Sequence, residues 1–451
     1  MRADTGGAQG GVVGMLRRRD GRFWERVAAL LLVIASVVLV GVHVPKHQFV
    51  SPIDEYMYID YVAKVSSQGV VRTGEGVGEF AREYLACHNV RNVGGWPESH
   101  CTPEAIADPN SFPNRGTTSA DIYTPAYFAV TRVLAQPFLF AGVDFVSAAR
   151  LTGMFWLALA AVALFFALRR LRIPIMLSAS LSLMMVGSSA AFWSNTFIST
   201  DAPAMAAGAV ALLLALRTDQ HRRAVWWLAA AAVVAAVLKL QLLLPFAAVA
   251  VFFLLQRFSA VRHRTRAVRA VLTDRLVLIT VGGVLAAVIA QALWMVVRSS
   301  IAVGDAGALV ASASFTPAAL AQELFRFLPD LAEGALDPAS TGGGAIIPVG
   351  VLTLLVAGGV IGLWGSSSGF TRESNLAVST LLVATVSAPV LAVVSAILTG
   401  QYIALVPRYG LSLLPIALAC AGLLFAERRA LRVPGAIVAM ICYCSVLTIP
   451  Q

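Results

Sequence analysis

Charge is what this chain has least of. Only 13% of its 451 residues are Asp, Glu, Lys or Arg, against about 25% in a soluble globular protein. Lysine is confined to Lys46, Lys64 and Lys239, and every other basic side chain of that kind is arginine. Cysteine and histidine are also scarce, at five and six, too few for a Cys/His-rich metal scaffold. No glycine-rich phosphate-binding motif occurs, which argues against a nucleotide-binding protein, and there is no internal repeat. The shortage of charge argues against a soluble enzyme, a disordered chain and a fibrous protein. In place of charge there is apolar sequence: 58% of residues and a mean hydropathy of +0.78. The chain therefore reads as an all-α polytopic membrane protein.

A membrane-spanning helix needs about 20 mostly apolar residues to cross a hydrocarbon core about 30 Å thick. About 11 transmembrane helices are expected, near 25–44, 146–168, 174–193, 201–217, 224–239, 241–257, 276–298, 346–365, 376–398, 409–426 and 431–449. The fifth and sixth form one apolar run interrupted by Lys239, Gln241 and Pro245, which reads as two helices meeting at a break. The first run is long enough to span and is followed by no small-residue cleavage site, so it reads as an anchor and not as a cleaved signal peptide. Residues 124–141 are apolar but hold Pro125, Arg132, Gln136 and Pro137. Taken as re-entrant or interfacial, they leave 22 of the 34 Lys and Arg inside with 7 acids, and 12 outside with 17 acids. That split follows the positive-inside rule. It makes the net charge of +10 a signal of orientation and not of nucleic-acid binding. The expected organisation is a basic inner tail over 1–24 and one transmembrane domain over 25–451. Long outer loops then fall at 45–145 and 299–345, and the stretch Ala332 to Pro348, with Gly342-Gly343-Gly344, is expected to be a flexible outer loop, a mobile gate or a linker.

The outer loops collect the chemistry. Cys87 and Cys101 fall in the first one, and an oxidising compartment favours a disulfide between them. Flanking His88 and His100 make a zinc site the alternative, although the spacing is too tight for a usual zinc motif. Directly after the first span, Pro52 can start a helix that places Asp54 and Glu55 in its first turn. One reading is an interfacial helix with Tyr56, Tyr58 and Tyr61 as an aromatic belt. The other is catalytic, with a carboxylate at the membrane surface acting as general base.

These residues also carry a family resemblance. An acidic pair just after the first helix resembles that of the GT-C membrane glycosyltransferases, which use polyprenyl-phosphate sugars as donors. Asp121-Ile122-Tyr123-Thr124-Pro125 is similar to the segment preceding their second span, and Arg169-Arg170-Leu171-Arg172 to the basic turn after it. Ser199-Thr200-Asp201-Ala202-Pro203 resembles the turn opening their fourth span, and Val237-Leu238-Lys239-Leu240-Gln241 a break further on. Pro407-Arg408-Tyr409-Gly410-Leu411 through Pro415 resembles a Gly-Arg-Tyr-Leu-Leu-Pro stretch in a family of predicted bacterial membrane proteins. Those proteins begin with Pro-Pro-Asp-Glu, where this chain has Pro52-Ile53-Asp54-Glu55.

The resemblance implies transfer of a sugar, with inversion, from a polyprenyl-phosphate donor to a glycan or glycolipid acceptor on the outer face of the cytoplasmic membrane. Asp54 is then the expected base, with Glu55 sharing that role or orienting an acceptor or cation. Arg408 and Lys239 are expected to bind the donor phosphate, and Asp121, Tyr58, Asp201 and Tyr409 the substrates, with Arg298 and Arg326 as weaker cation candidates. No firm cofactor is implied, although clustered carboxylates can hold Mg2+ or Ca2+. Arg408 and Lys239 can instead be snorkelling cations, and Trp96, Trp193 and Tyr402 read as belt residues more than as sugar platforms. The competing reading is a transporter or lipid flippase, for which the Lys239 break is the best sign.

Overall fold

The computed structural model describes residues 9–90, 101–261, 267–305, 316–334, 336, 338–367, 369–399, 402 and 404–450. Trp96 and His100 lie outside the described residues. The fold is helical, with isolated β-bridges pairing Val50 with Val90 and Gly76 with Thr117.

Among the described residues, eight helices are long and apolar enough to cross a membrane: Gly21–Lys46, Phe145–Arg170, Leu240–Val261, Arg275–Ser300, Gly343–Ser366, Arg372–Ile397, Pro407–Phe425 and Arg429–Leu447. The bent pair Ile175–Val186 and Ser189–Asn195 makes a ninth if it is one span. The expected count of eleven is thus met only in part. Two of the expected spans appear as shorter apolar helices, Ala204–Arg217 and Ala224–Leu238, of 14 and 15 residues. The bend has a local cause. Ser188 caps the second piece by accepting the Ala191 N–H at 2.9 Å, which stops the first helix from continuing.

Contacts between helix ends divide the bundle into two ends. At one, Arg169 pairs with Glu25 at 2.9 Å, Arg372 with Asp219 at 2.7 Å and Arg257 with Asp274 at 3.2 Å. At the other, Arg150 near the start of the Phe145–Arg170 helix reaches Glu55 and the Phe49 carbonyl, just beyond the first helix. Residues 45–145 therefore leave and return at the same end. The apolar helix Ala126–Phe140 lies within this excursion, with the Arg132 guanidinium 4.9 Å from the centre of the Phe145 ring.

The excursion is a small helical lobe. It holds the helices Glu55–Gln68 and Glu79–His88, and a Cys87–Cys101 disulfide with a Cα–Cα distance of 4.6 Å ties the end of the second to the chain at residue 101. Both sulfurs are thus spent, and His88 gives its Nδ1–H to the Tyr84 carbonyl at 2.9 Å, its ring stacked on that of Tyr84. Its aromatic core includes Tyr61 stacked on Phe128 at 3.9 Å and Tyr56 over Phe112. Tyr56, Tyr58 and Tyr61 are all buried, which places them in this core and not in an exposed belt.

The glycine-rich stretch departs from the expected loop. Gly343 begins the Gly343–Ser366 helix, and a Cβ on Gly344 would lie 2.4 Å from the Ser445 carbonyl oxygen. Gly344 thus lets this helix start pack against the Arg432–Leu447 helix.

Candidate active site

Asp54 and Glu55 are neighbours with opposite environments. Asp54 is the N-cap of the Glu55–Gln68 helix in the left-handed region, φ 54°, ψ 5°. Asp tolerates this better than most residues, and such sparsely populated backbone persists where its surroundings hold it. Its side chain is 49% exposed.

Glu55 supplies the holding. Its carboxylate is fully buried and accepts four hydrogen bonds. Oε1 takes Arg150 Nε at 2.8 Å and the Ile198 N–H at 2.9 Å. Oε2 takes Arg150 Nη2 at 2.9 Å and the Ser51 N–H at 2.7 Å. Arg150 is itself 1% exposed and gives Nη2 to the Phe49 carbonyl as well, at 3.0 Å. A carboxylate so occupied has no lone pair left for an acceptor hydroxyl or a cation. The expected catalytic role for Glu55 therefore gives way to a structural one. It joins the segment before Asp54, the helix carrying Arg150, and the strand of chain entering the Ser199–Asp201 turn.

That turn delivers the second carboxylate. Ser199 Oγ accepts the Asp201 N–H at 3.1 Å, and the Ser199 N–H is given to Tyr127 Oη at 3.1 Å. Asp201 is nearly buried and pairs with Lys239 Nζ at 2.5 Å. Lys239 is in extended backbone at the end of the Ala224–Leu238 helix, where the chain turns into a 3-10 segment before Leu244–Val261. Its side chain is 1% exposed, with its ammonium 5.7 Å from the Tyr123 ring centre and 5.0 Å from that of Tyr409. Lys239 is thereby consumed in holding Asp201, and is not open to a phosphate.

Arg408 closes the cluster. It lies in the turn Pro407–Leu413, which comes close to the Ala204–Arg217 helix because Gly208 has no side chain: a Cβ there would lie 2.0 Å from the Ser412 carbonyl oxygen. Arg408 Nε is 3.4 Å from Asp201 Oδ2 and its Nη2 is 3.7 Å from Asp54 Oδ2. The chain Asp54–Arg408–Asp201–Lys239 thus alternates in sign, tight at the buried end and loose at the exposed end. Arg408 Nε is buried without a hydrogen bond. An unmet buried donor costs about 1–3 kcal/mol, and a guanidinium readily meets it with phosphate or carboxylate oxygens.

The cluster opens onto a crevice of about 200 Å³, lined by Asp201, Arg408, Ile53, Trp193, Ser199 and Gly334 among others. A larger apolar crevice of about 350 Å³ lies between other helices, walled by Leu212, Leu216, Phe252 and Leu376, and contains none of these acids. Three hydroxyls meet beneath Asp54: Tyr58 Oη is 3.4 Å from Tyr123 Oη and 3.3 Å from Thr200 Oγ1. Burial, then the neighbouring Tyr123 and Asp54, push the Tyr58 hydroxyl well above its ordinary range. Burial and Asp54 likewise push Tyr123 up to about 12. Both stay neutral donors near neutral pH.

Asp121 belongs elsewhere. Its Oδ2 is held by Arg298 at 2.7 Å and Thr73 at 2.6 Å, and none of these partners touches Asp201 or Arg408. Trp193 is buried and gives its indole N–H to Thr341 at 3.0 Å while its ring lines the crevice. Tyr402 and Arg326 both bind Glu323. Among the described residues no three of His, Cys, Asp and Glu converge as metal ligands. Arg150, Tyr123, Thr200 and Glu323 were not expected as site residues. Arg150 carried a signal, as a charge inside an apolar stretch; the others carried none. Comparison with protein-family models, with curated proteins and with solved structures finds no match to this chain.

Proposed function

We propose that this chain is a membrane glycosyltransferase that moves a sugar from a polyprenyl-phosphate donor to a glycan or glycolipid acceptor at the outer membrane face. The observation that carries the proposal is Arg408, whose buried Nε lacks a hydrogen bond and whose guanidinium lines the crevice beside an exposed carboxylate. The donor phosphate supplies the missing acceptor. Its arrival loosens the long Asp54–Arg408 contact and leaves Asp54 as base. The acceptor oxygen attacks the anomeric carbon as the bond from that carbon to the phosphate oxygen breaks. The hydroxyl proton passes to Asp54, and the lipid phosphate leaves on Arg408. Asp201 and Lys239 hold Arg408 in place, and Ile53, Trp193 and Leu411 wall the crevice.

In this reading Ala204–Arg217 and Ala224–Leu238 also cross, with the bent pair as one span, giving eleven crossings with the N-terminus inside. The basic end of the bundle then faces the cytoplasm and the acidic cluster faces outward, as the positive-inside rule prefers.

A second reading has its own observation. The Lys239–Asp201 pair is a buried ion pair at a helix break, a feature that membrane transporters share. Purified protein in proteoliposomes separates the two. The proposal expects transfer of radiolabelled sugar from polyprenyl-phosphate sugars to envelope acceptors, with Arg408→Gln raising KM for the donor. Movement of the labelled lipid between leaflets without any transfer would favour the transporter.

A further inference from the structure

The turn that carries Arg408 is held from outside by the second long loop. Glu323 ends the Pro317–Glu323 helix and is completely buried, although it is a carboxylate in a loop. Its Oε1 accepts Tyr402 Oη at 2.8 Å and the Leu405 N–H at 3.2 Å. Arg326 Nε approaches its Oε2 at 3.3 Å. Tyr402 and Leu405 lie just upstream of Arg408, so one carboxylate gathers the chain leading into the turn. The same loop presses on the turn from beyond. A Cβ on Gly410 would lie 2.6 Å from Leu331 and 2.8 Å from Phe327, both completely buried. Gly334, at the end of this segment, packs against Trp193 and lines the crevice with Arg408.

We propose that Glu323 is a positioning residue: by fixing Tyr402 and Leu405 it sets where Arg408 stands in the crevice, and so sets the site's affinity for an anionic phosphate ligand. The inference rests on the reading of Arg408 as the phosphate ligand, but its geometric core stands apart from any activity. Burying a charge costs heavily unless it is matched, and here it is matched mainly by two donors from the Arg408 segment. Glu323→Gln keeps an amide oxygen for those two donors and gives up only the Arg326 pair, whose arginine is 29% exposed and free to turn to solvent. Glu323→Ala leaves both donors buried without an acceptor.

The test is arginine modification by phenylglyoxal, mapped by peptide mass spectrometry on the full-length protein in detergent. Arg298, held by Asp121, is the internal reference, and thermal unfolding midpoints check that each variant is folded. Arg408 is 16% exposed and should react slowly in the wild type. Loss of such buried hydrogen bonds raises the population of the open turn about tenfold, so Glu323→Ala should raise the Arg408 rate by about that factor relative to Arg298. Glu323→Gln should restore the wild-type rate. An unchanged Arg408 rate in folded Glu323→Ala, or a Gln variant as reactive as Ala, overturns the proposal. In the transfer assay Glu323→Ala should lower kcat/KM for the polyprenyl-phosphate donor, and Glu323→Gln should restore it. If phenylglyoxal responds as expected but the wild type transfers no sugar, the glycosyltransferase reading falls and the positioning role stands.

Discussion

Removing either partner of the Glu55–Arg150 pair should be among the most damaging single changes this protein can suffer. Glu55→Ala leaves a guanidinium that is 1% exposed without its counter-charge, and strips the Ser51 and Ile198 N–H groups of their acceptor. Breaking a buried pair from one side costs about 3–5 kcal/mol, a large part of a total stability of about 5–15 kcal/mol. Arg150→Met should cost about the same, because Glu55 keeps its two backbone donors but loses its counter-charge. The double variant Glu55→Met with Arg150→Met removes both charges and their desolvation together. It should fall short of the summed single costs by about 2–3 kcal/mol, the coupling typical of residues in direct contact. Unfolding in a titration of SDS against a mild detergent, followed by circular dichroism, measures all three variants. Additivity within about 0.5 kcal/mol, the value for distant independent sites, would refute the reasoning. So would a Glu55→Ala cost below about 1 kcal/mol, the size of an ordinary neutral hydrogen bond.

Two further outcomes follow from the packing and the electrostatics. Gly410→Ala should cost about 1–3 kcal/mol, because its Cβ meets Leu331 and Phe327 in a well-packed region; the same SDS titration checks it. In the outer lobe, burial alone would raise the Glu75 carboxyl, but hydrogen bonds from the Gln68 side chain, the Arg72 N–H and Lys64 together hold it below its ordinary value of 4.5. Glu75 therefore contributes stability above pH 4.5 that is lost as pH falls through its lower folded value. Stability measured against pH should show this acid limb, and Glu75→Gln should flatten it.

The membrane character was legible from the apolar stretches, and so was the break at Lys239, where the polar residues and Pro245 interrupt a run too long for one helix. The span count was less so: Ala204–Arg217 and Ala224–Leu238 end where the sequence placed them, at the Arg217 turn and the Lys239 break, but with 14 and 15 residues they are short for a membrane crossing. Asp54 and Glu55 looked equivalent, because spacing shows only that both open a helix. What separates them is Arg150, 95 residues away, and the backbone of Ile198, which only tertiary packing brings to Glu55. Lys239 and Asp201 were each expected to face substrates, yet their mutual pairing uses up the ammonium. That pairing crosses 38 residues and two helices, and no periodicity records it. Glu323 was hidden for the same reason, since its partners lie 79 and 82 residues on.

The central claim is that Asp54 is the base of a sugar transfer. Asp54→Asn keeps the size of a side chain that is 49% exposed, so the fold should be unaffected, while loss of a general base slows the reaction by about 10²–10⁴. The most direct measurement is the initial rate of radiolabelled sugar transfer from a polyprenyl-phosphate donor by the purified protein and this variant, with unfolding midpoints in parallel. The account predicts a rate loss in that range at an unchanged midpoint. A folded Asp54→Asn protein that transfers sugar at the wild-type rate would contradict it.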